Sequence, residues 1–214
     1  MFVARVLIDF VWFPGLSISQ KQKSIKSLHG SALQNRSIQK ILEISSKSES
    51  DEGVNLSAFN LSFKTPSGGQ ASVEVIFQGS KVFSGGGPFV DIYEKTSREA
   101  KKDYRLSESG QLIGFQYGAT QWPLDPQTAF YDWLYLSAVN RNKDLTRALL
   151  EYEAYSDIEF NPAKSINCQA YSAALYKALV KRQLLSQALA SPVDFLRIHK
   201  TQKVQSVPIQ QGLL

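Results

Sequence analysis

The chain has almost nothing with which to bind a soft metal or form a crosslink: one cysteine, Cys168, and two histidines, His29 and His199, among 214 residues. A single thiol excludes an intramolecular disulfide and fits a reducing, cytoplasmic setting. The three residues are scattered without ligand spacing, so no zinc motif exists and no cysteine–histidine hydrolase is supported. Cys168, on a helix expected from Ser165 to about Lys181, reads as a small core residue. Long apolar runs are also missing. The first sixteen residues are apolar, but Asp9 interrupts them and Phe13-Pro14-Gly15 closes them. That is a poor signal peptide and far too short to span a bilayer, so a soluble intracellular protein without membrane contact is expected. The glycine run Gly85-Gly86-Gly87 lacks the Lys-Ser/Thr of a P-loop and the strand-turn-helix setting of a dinucleotide fold. No repeat and no low-complexity block is present.

What is there suits one sizeable domain. A hydrophobic content of 43% excludes wholesale disorder, and a net charge of +5 leans slightly toward an anionic partner such as nucleic acid or a phosphorylated small molecule. Residues 2–11 read as a strand. Residues 17–33 read as a helix, with Ile18, Ile25, Leu28 and Leu33 inward and Lys21, Lys23 and Lys26 on a solvated or phosphate-contacting side. A short strand is expected near 38–45 and a polar surface loop over 45–53. A helix start with a hydroxyl cap is expected at Thr96, a hairpin or irregular stretch over 107–120, and a rigid turn at 122–126. Further helices are expected over 127–140, with Phe130, Trp133, Leu134 and Ser137 on one face, over 143–155, and over 184–196. The last residues, from His199, carry few apolar side chains and read as a fraying tail. The expected class is helix-rich α+β with few short strands.

The most informative stretch is 56–83, LSAFNLSFKTPSGGQASVEVIFQGSKVF. Its first half is a loop with spaced aromatics, and its second half predicts a helix opening at Ser72 and ending at the glycine run. Val73, Ile76, Phe77, Ser80 and Phe83 form an apolar face. Glu74, Gln78 and Lys81 stack a carboxylate, an amide and an ammonium along a second stripe. Spacing alone favours an ordinary solvated pair between Glu74 and Lys81.

LSAFNLSF followed by SVEVIFQGSKVF resembles the signature of the NADAR (YbiA-like) family, a loop L-S-N-F and then a helix S/T-x-E-H-x-F-Q-A-x-K-F. Lys47 sits where the family carries an early lysine, Arg98-Glu99-Ala100-Lys101 is similar to its A-K segment, and Tyr155-Ser156-Asp157 followed by Asn167 resembles its C-terminal elements. Residues 1–40 look like the extension of the subgroup paired with DarT-type DNA ADP-ribosyltransferase toxins. Two positions depart from the motif: Ala58 replaces its asparagine and Val75 its histidine.

The resemblance implies a YbiA-like single domain over 41–198, with 1–40 packed on it and 199–214 as a tail. It implies an N-glycosidase that removes ADP-ribose from the exocyclic amine of guanosine in DNA, functionally paired with a DarT-type toxin and needing no cofactor or metal. Under it, Lys47 is a Schiff-base nucleophile, with direct attack by water as the alternative route, and Glu74 and Asp157 handle protons and the cationic sugar. Lys81 and Lys101 bind diphosphate, Ser57, Phe59, Gln78 and Asn167 contact substrate, and Trp122 or a tyrosine stacks on the base. Two alternatives use the same residues: an N-glycosidase on phosphorylated ribosylaminopyrimidines of riboflavin synthesis, and a non-catalytic ADP-ribose or DNA-binding module.

Overall fold

Hydroxyl side chains start several helices here, because the first amides of a helix have no partner inside it. The computed structural model describes residues 2–34, 38–65, 68–161, 166–200 and 205–207. Strand β1 (Ala4–Val6) precedes helix α1 (Ile18–Ala32), capped by Ser17. Strand β2 (Ile41–Glu43) precedes α2 (Asp51–Asn55), capped by Ser50. Strands β3 (Ser62–Lys64) and β4 (Gln70–Ser72) form a hairpin that runs straight into α3 (Val73–Gly79), with Ser72 both ending the strand and capping the helix. Strand β5 (Lys81–Phe83) and a 3-10 turn (Val90–Glu94) lead to α4 (Ser97–Lys101), which has a full capping box between Thr96 and Glu99. Then come α5 (Arg105–Glu108), β6 (Leu112–Tyr117) and β7 (Thr120–Trp122). The chain continues through α6 (Ala129–Arg141), α7 (Lys143–Leu150), β8 (Ala154–Ser156) and α8 (Gln169–Lys181). It closes with α9 (Leu185–Ala190), α10 (Pro192–Lys200) and β9 (Gln205–Val207).

The strands are short and paired in small groups: β1 with β9 and β2 with β8 in parallel, β3 with β4 antiparallel, and β5-β6-β7 as an antiparallel sheet. This is the helix-rich α+β architecture expected. Among the described residues no helix is long and apolar enough to cross a membrane.

Helix α6 is the axis of the core. Phe130, Tyr131, Leu134, Tyr135, Leu136 and Val139 are all buried, because α3, α7, α8, α9 and α10 pack around it. The single face expected from Phe130, Trp133, Leu134 and Ser137 is therefore too narrow. The hydroxyl of Tyr135 donates to the Leu56 carbonyl at 2.8 Å, which pins the loop ahead of α3 to the central helix.

Several boundaries differ from the sequence expectation. Helix α3 stops at Gly79, where a Cβ would lie 2.6 Å from the Tyr93 ring, and Lys81–Phe83 extends to pair with β6. The glycine run is thus a turn after β5, and Phe83 bonds Gly86 across it at 2.7 Å. Helix α7 ends at Leu150 because residues 154–156 are taken by β2 as a parallel neighbour. Ile25 is buried as expected, but Ile18 and Leu33, also expected inward, are 56% and 46% exposed, and Ser24 faces the core beside Ile25. The lysine side of α1 forms ion pairs, Lys21 with Glu159 at 3.4 Å and Lys26 with Glu49 at 2.9 Å. His199 lies inside α10, buried and 3.0 Å from Asp132. The expected helix start at Ser165 and residues 201–204 and 208–214 lie outside the described residues.

Residues 45–53 are not wholly a surface loop. Ser45 and Ser48 are buried, and a Cβ on Gly53 would fall 2.1 Å from the Glu43 carbonyl oxygen and 2.2 Å from the Ser48 hydroxyl. Backbone cannot yield to such a contact, so Gly53→Ala is expected to cost about 3 kcal/mol by overpacking. Urea denaturation at fixed pH measures it, and a midpoint equal to that of the unmodified chain would refute the expectation.

Candidate active site

The site begins with how α3 is entered. Glu74 donates its amide to the Ala58 carbonyl at 2.9 Å, and Val73 donates to the Leu61 carbonyl at 2.8 Å. The loop thereby satisfies two of the amides the helix leaves open, and its side chains become one wall of a cleft of about 1230 Å³. Along that wall runs a linked row of polar groups. Gln78 donates to Glu74 Oε1 at 2.8 Å, and Lys81 Nζ donates to Gln78 Oε1 at 2.7 Å. Lys101 of α4 reaches Glu74 Oε1 at 3.4 Å and sits 4.4 Å from the Phe59 ring centre. Burial holds the Lys81 ammonium below the usual lysine range; the Glu74 charge opposes this and the Lys101 charge adds to it.

Asp157 lines the same cleft, directly after β8. Its carboxyl is pushed up to about 6, first by burial and then by the neighbouring Glu43 charge, against hydrogen bonds from Gln169 and the Glu159 amide. Gln169 joins the two walls: its Nε2 donates to Asp157 Oδ2 at 3.1 Å and its Oε1 accepts from the Ala58 amide at 2.5 Å. Tyr131 lies in the lining within the field of both Glu74 and Asp157, and burial lifts its hydroxyl well above the ordinary tyrosine range. The cleft therefore offers a lysine predisposed to lose its proton and a carboxyl predisposed to keep one.

Residues 1–208 match the model of the DarT1-associated NADAR antitoxin. The chain belongs to this family. A comparison with curated proteins found no match. The family span includes α1 and β1, so the N-terminal segment is inside the matched pattern. The two departures from the NADAR motif are both buried: Ala58 supplies the amide held by Gln169, and Val75 packs in the core.

Of the residues singled out from the NADAR resemblance, Phe59, Glu74, Gln78, Lys81, Lys101, Asp157 and Asn167 all line the cleft. Three do not. Lys47 sits on the turn between β2 and α2, with its ammonium on the Ser46 hydroxyl at 2.9 Å. Ser57 is fully buried and accepts from the Asn60 side chain at 3.1 Å. Trp122 is 2% exposed, with its ring centre 5.4 Å from Phe130 and 5.0 Å from Trp133, so no face is left to stack on a base. Gln127, Tyr131 and Gln169 belong to the lining but were not singled out. Tyr131 had one sequence signal, a hydroxyl within the most apolar helix. Gln169 had none, because its partners are more than a hundred positions away in Ala58 and nearby only in Asp157.

Proposed function

We propose that this chain hydrolyses the N-glycosidic bond between ADP-ribose and the exocyclic amine of guanosine in DNA, reversing the modification made by a DarT-type toxin. The observation that carries the reading is the pairing, in one cleft, of Lys81, with its depressed pKa, and Asp157, with its raised one. Opposed shifts of this kind suit a nucleophile and an acid working near neutral pH.

In the proposed reaction the neutral Lys81 amine attacks the anomeric carbon while Asp157 gives its proton to the departing guanine amine. The Glu74 carboxylate offsets the positive charge that gathers on the sugar. The lysine adduct gives one Nζ proton back to the Asp157 carboxylate and the other to the ring oxygen, which opens the sugar to a Schiff base. Water hydrolyses that imine, releasing ADP-ribose and restoring the amine. Lys101 and Lys102 on the cleft lining are suited to the diphosphate, and Phe59 offers a ring for stacking.

The nucleophile's role thus moves from Lys47 to Lys81. Lys47→Ala is expected to leave the release of ADP-ribose from a guanosine-modified oligonucleotide within about twofold of the unmodified chain, as for a surface change away from the chemistry. Chromatographic quantification of released ADP-ribose checks this. The whole reading fails if the unmodified chain, folded and in excess, releases none.

A further inference from the structure

Asp157 is held from behind by a second carboxylate. Glu43 closes β2, is 2% exposed, and lies beside the strand whose next residue is Asp157. Its Oε1 accepts from the Ile158 amide at 2.8 Å, and its Oε2 accepts from the Ser156 hydroxyl at 2.5 Å. The residues immediately before and after Asp157 are therefore both tied to one buried side chain. Ser45 adds a third hydrogen bond to it. Ser156 in turn meets His29 Nε2 at 2.8 Å. With Ser156 donating to Glu43, the imidazole is the donor at Nε2, and burial keeps it below the ordinary histidine range, which favours that neutral form.

We infer that Glu43 is the positioning residue of this site: clasping both neighbours of Asp157, it fixes that acid at the cleft wall and links it through Ser156 to His29 of α1. The inference rests on the proposed hydrolase reading only in taking Asp157 as the acid. Other ionisable groups lie within the field of Asp157 or of Glu43. Glu159 of the same loop adds its charge to the field on Glu43 and is paired with Lys21 at 3.4 Å. Cys168 precedes α8 within the field of Asp157, and Tyr131 and Tyr135 of α6 feel it from the core. Glu43 is the one whose charge holds the Asp157 carboxyl up, supplementing burial; burial raises Glu43 itself above the usual carboxylate range, and the bonds from Ser156, Ile158 and Ser45 oppose that and favour its charged form. A purely structural Glu43 would supply the two bonds; the positioning role also requires that its charge keep the proton on Asp157.

Glu43→Gln separates the two, since the charge is lost while the amide oxygen can still accept from Ile158 and the amide nitrogen can donate to the Ser156 hydroxyl, which then turns to donate toward His29. Carboxyl-carbon NMR of aspartate-labelled protein reads the Asp157 midpoint, which is expected to fall by about one pH unit in Glu43→Gln. ADP-ribose release at pH values above the Asp157 midpoint should fall about tenfold, in step with the smaller protonated fraction. An unchanged Asp157 midpoint in Glu43→Gln overturns the inference. If Glu43→Gln does not fold, Ser156→Ala removes one of the two bonds: kcat should fall about tenfold at an unchanged KM, by misplacement of the acid, and an unchanged kcat overturns the inference. If the unmodified chain releases no ADP-ribose, the hydrolase reading is lost. The NMR titration still decides the link between Glu43 and Asp157.

Discussion

Lys81→Ala is expected to lower the release of ADP-ribose from guanosine-modified DNA by about a thousandfold or more, as when a covalent nucleophile is removed. Its ammonium is the one that burial pushes toward neutrality within the lining, while Lys101 is held by Glu74 at 3.4 Å. Lys81→Arg sharpens the test. An arginine keeps the positive charge and can bind diphosphate, yet it cannot lose its proton in the working range and cannot form a Schiff base. Both variants should therefore be inactive, with Lys81→Arg retaining ADP-ribose binding by calorimetry. Borohydride reduction during turnover, followed by peptide mass mapping, should find the sugar adduct on Lys81. An adduct on Lys47, or an active Lys81→Arg, would sink the assignment.

Asp157→Asn carries the second large effect, a fall of about 10²- to 10⁴-fold in kcat, the usual contribution of general acid catalysis. The pH profile gives its signature. An acid must be protonated to act, so with its carboxyl pushed up to about 6 its contribution fades as pH rises through that value. The lysine must be neutral to act, so its contribution grows as pH rises. The unmodified chain should show a bell, and Asp157→Asn should keep only the rising limb. An N-glycoside with a cationic leaving group needs no proton at departure and should lose far less in the variant. A falling limb that persists in Asp157→Asn would assign the acid elsewhere.

Much of the site's first wall was legible because its contacts are local. Ser72 and Thr96 cap helices through amides three residues on, and Glu74 and Gln78 lie one turn apart. Lys81 joined their row although it stands on β5, since the Gln78 amide spans the helix end. The end of α3 was not legible. Nothing within residues 73–83 reports that β6 waits to pair with Lys81–Phe83, or that Tyr93 leaves no room beyond hydrogen at Gly79. The same holds for Trp122, whose aromatic character suits base stacking as well as core packing until Phe130 and Trp133 cover it.

The sequence by itself determined the class of fold, the caps, the polar row on the first wall and the NADAR resemblance, because each depends on residues a few positions apart. Only the tertiary structure set Lys81, Lys101 and Lys102 on the cleft lining and Lys47 off it, and burial that other segments impose is what sets Lys81 apart among them. It also decided how the second wall is closed. The bonds from Gln169 to Ala58 and from Ile158 to Glu43 join residues 111 and 115 positions apart. Such contacts leave no periodic trace in the chain, since they exist only once α6 has gathered the segments around itself.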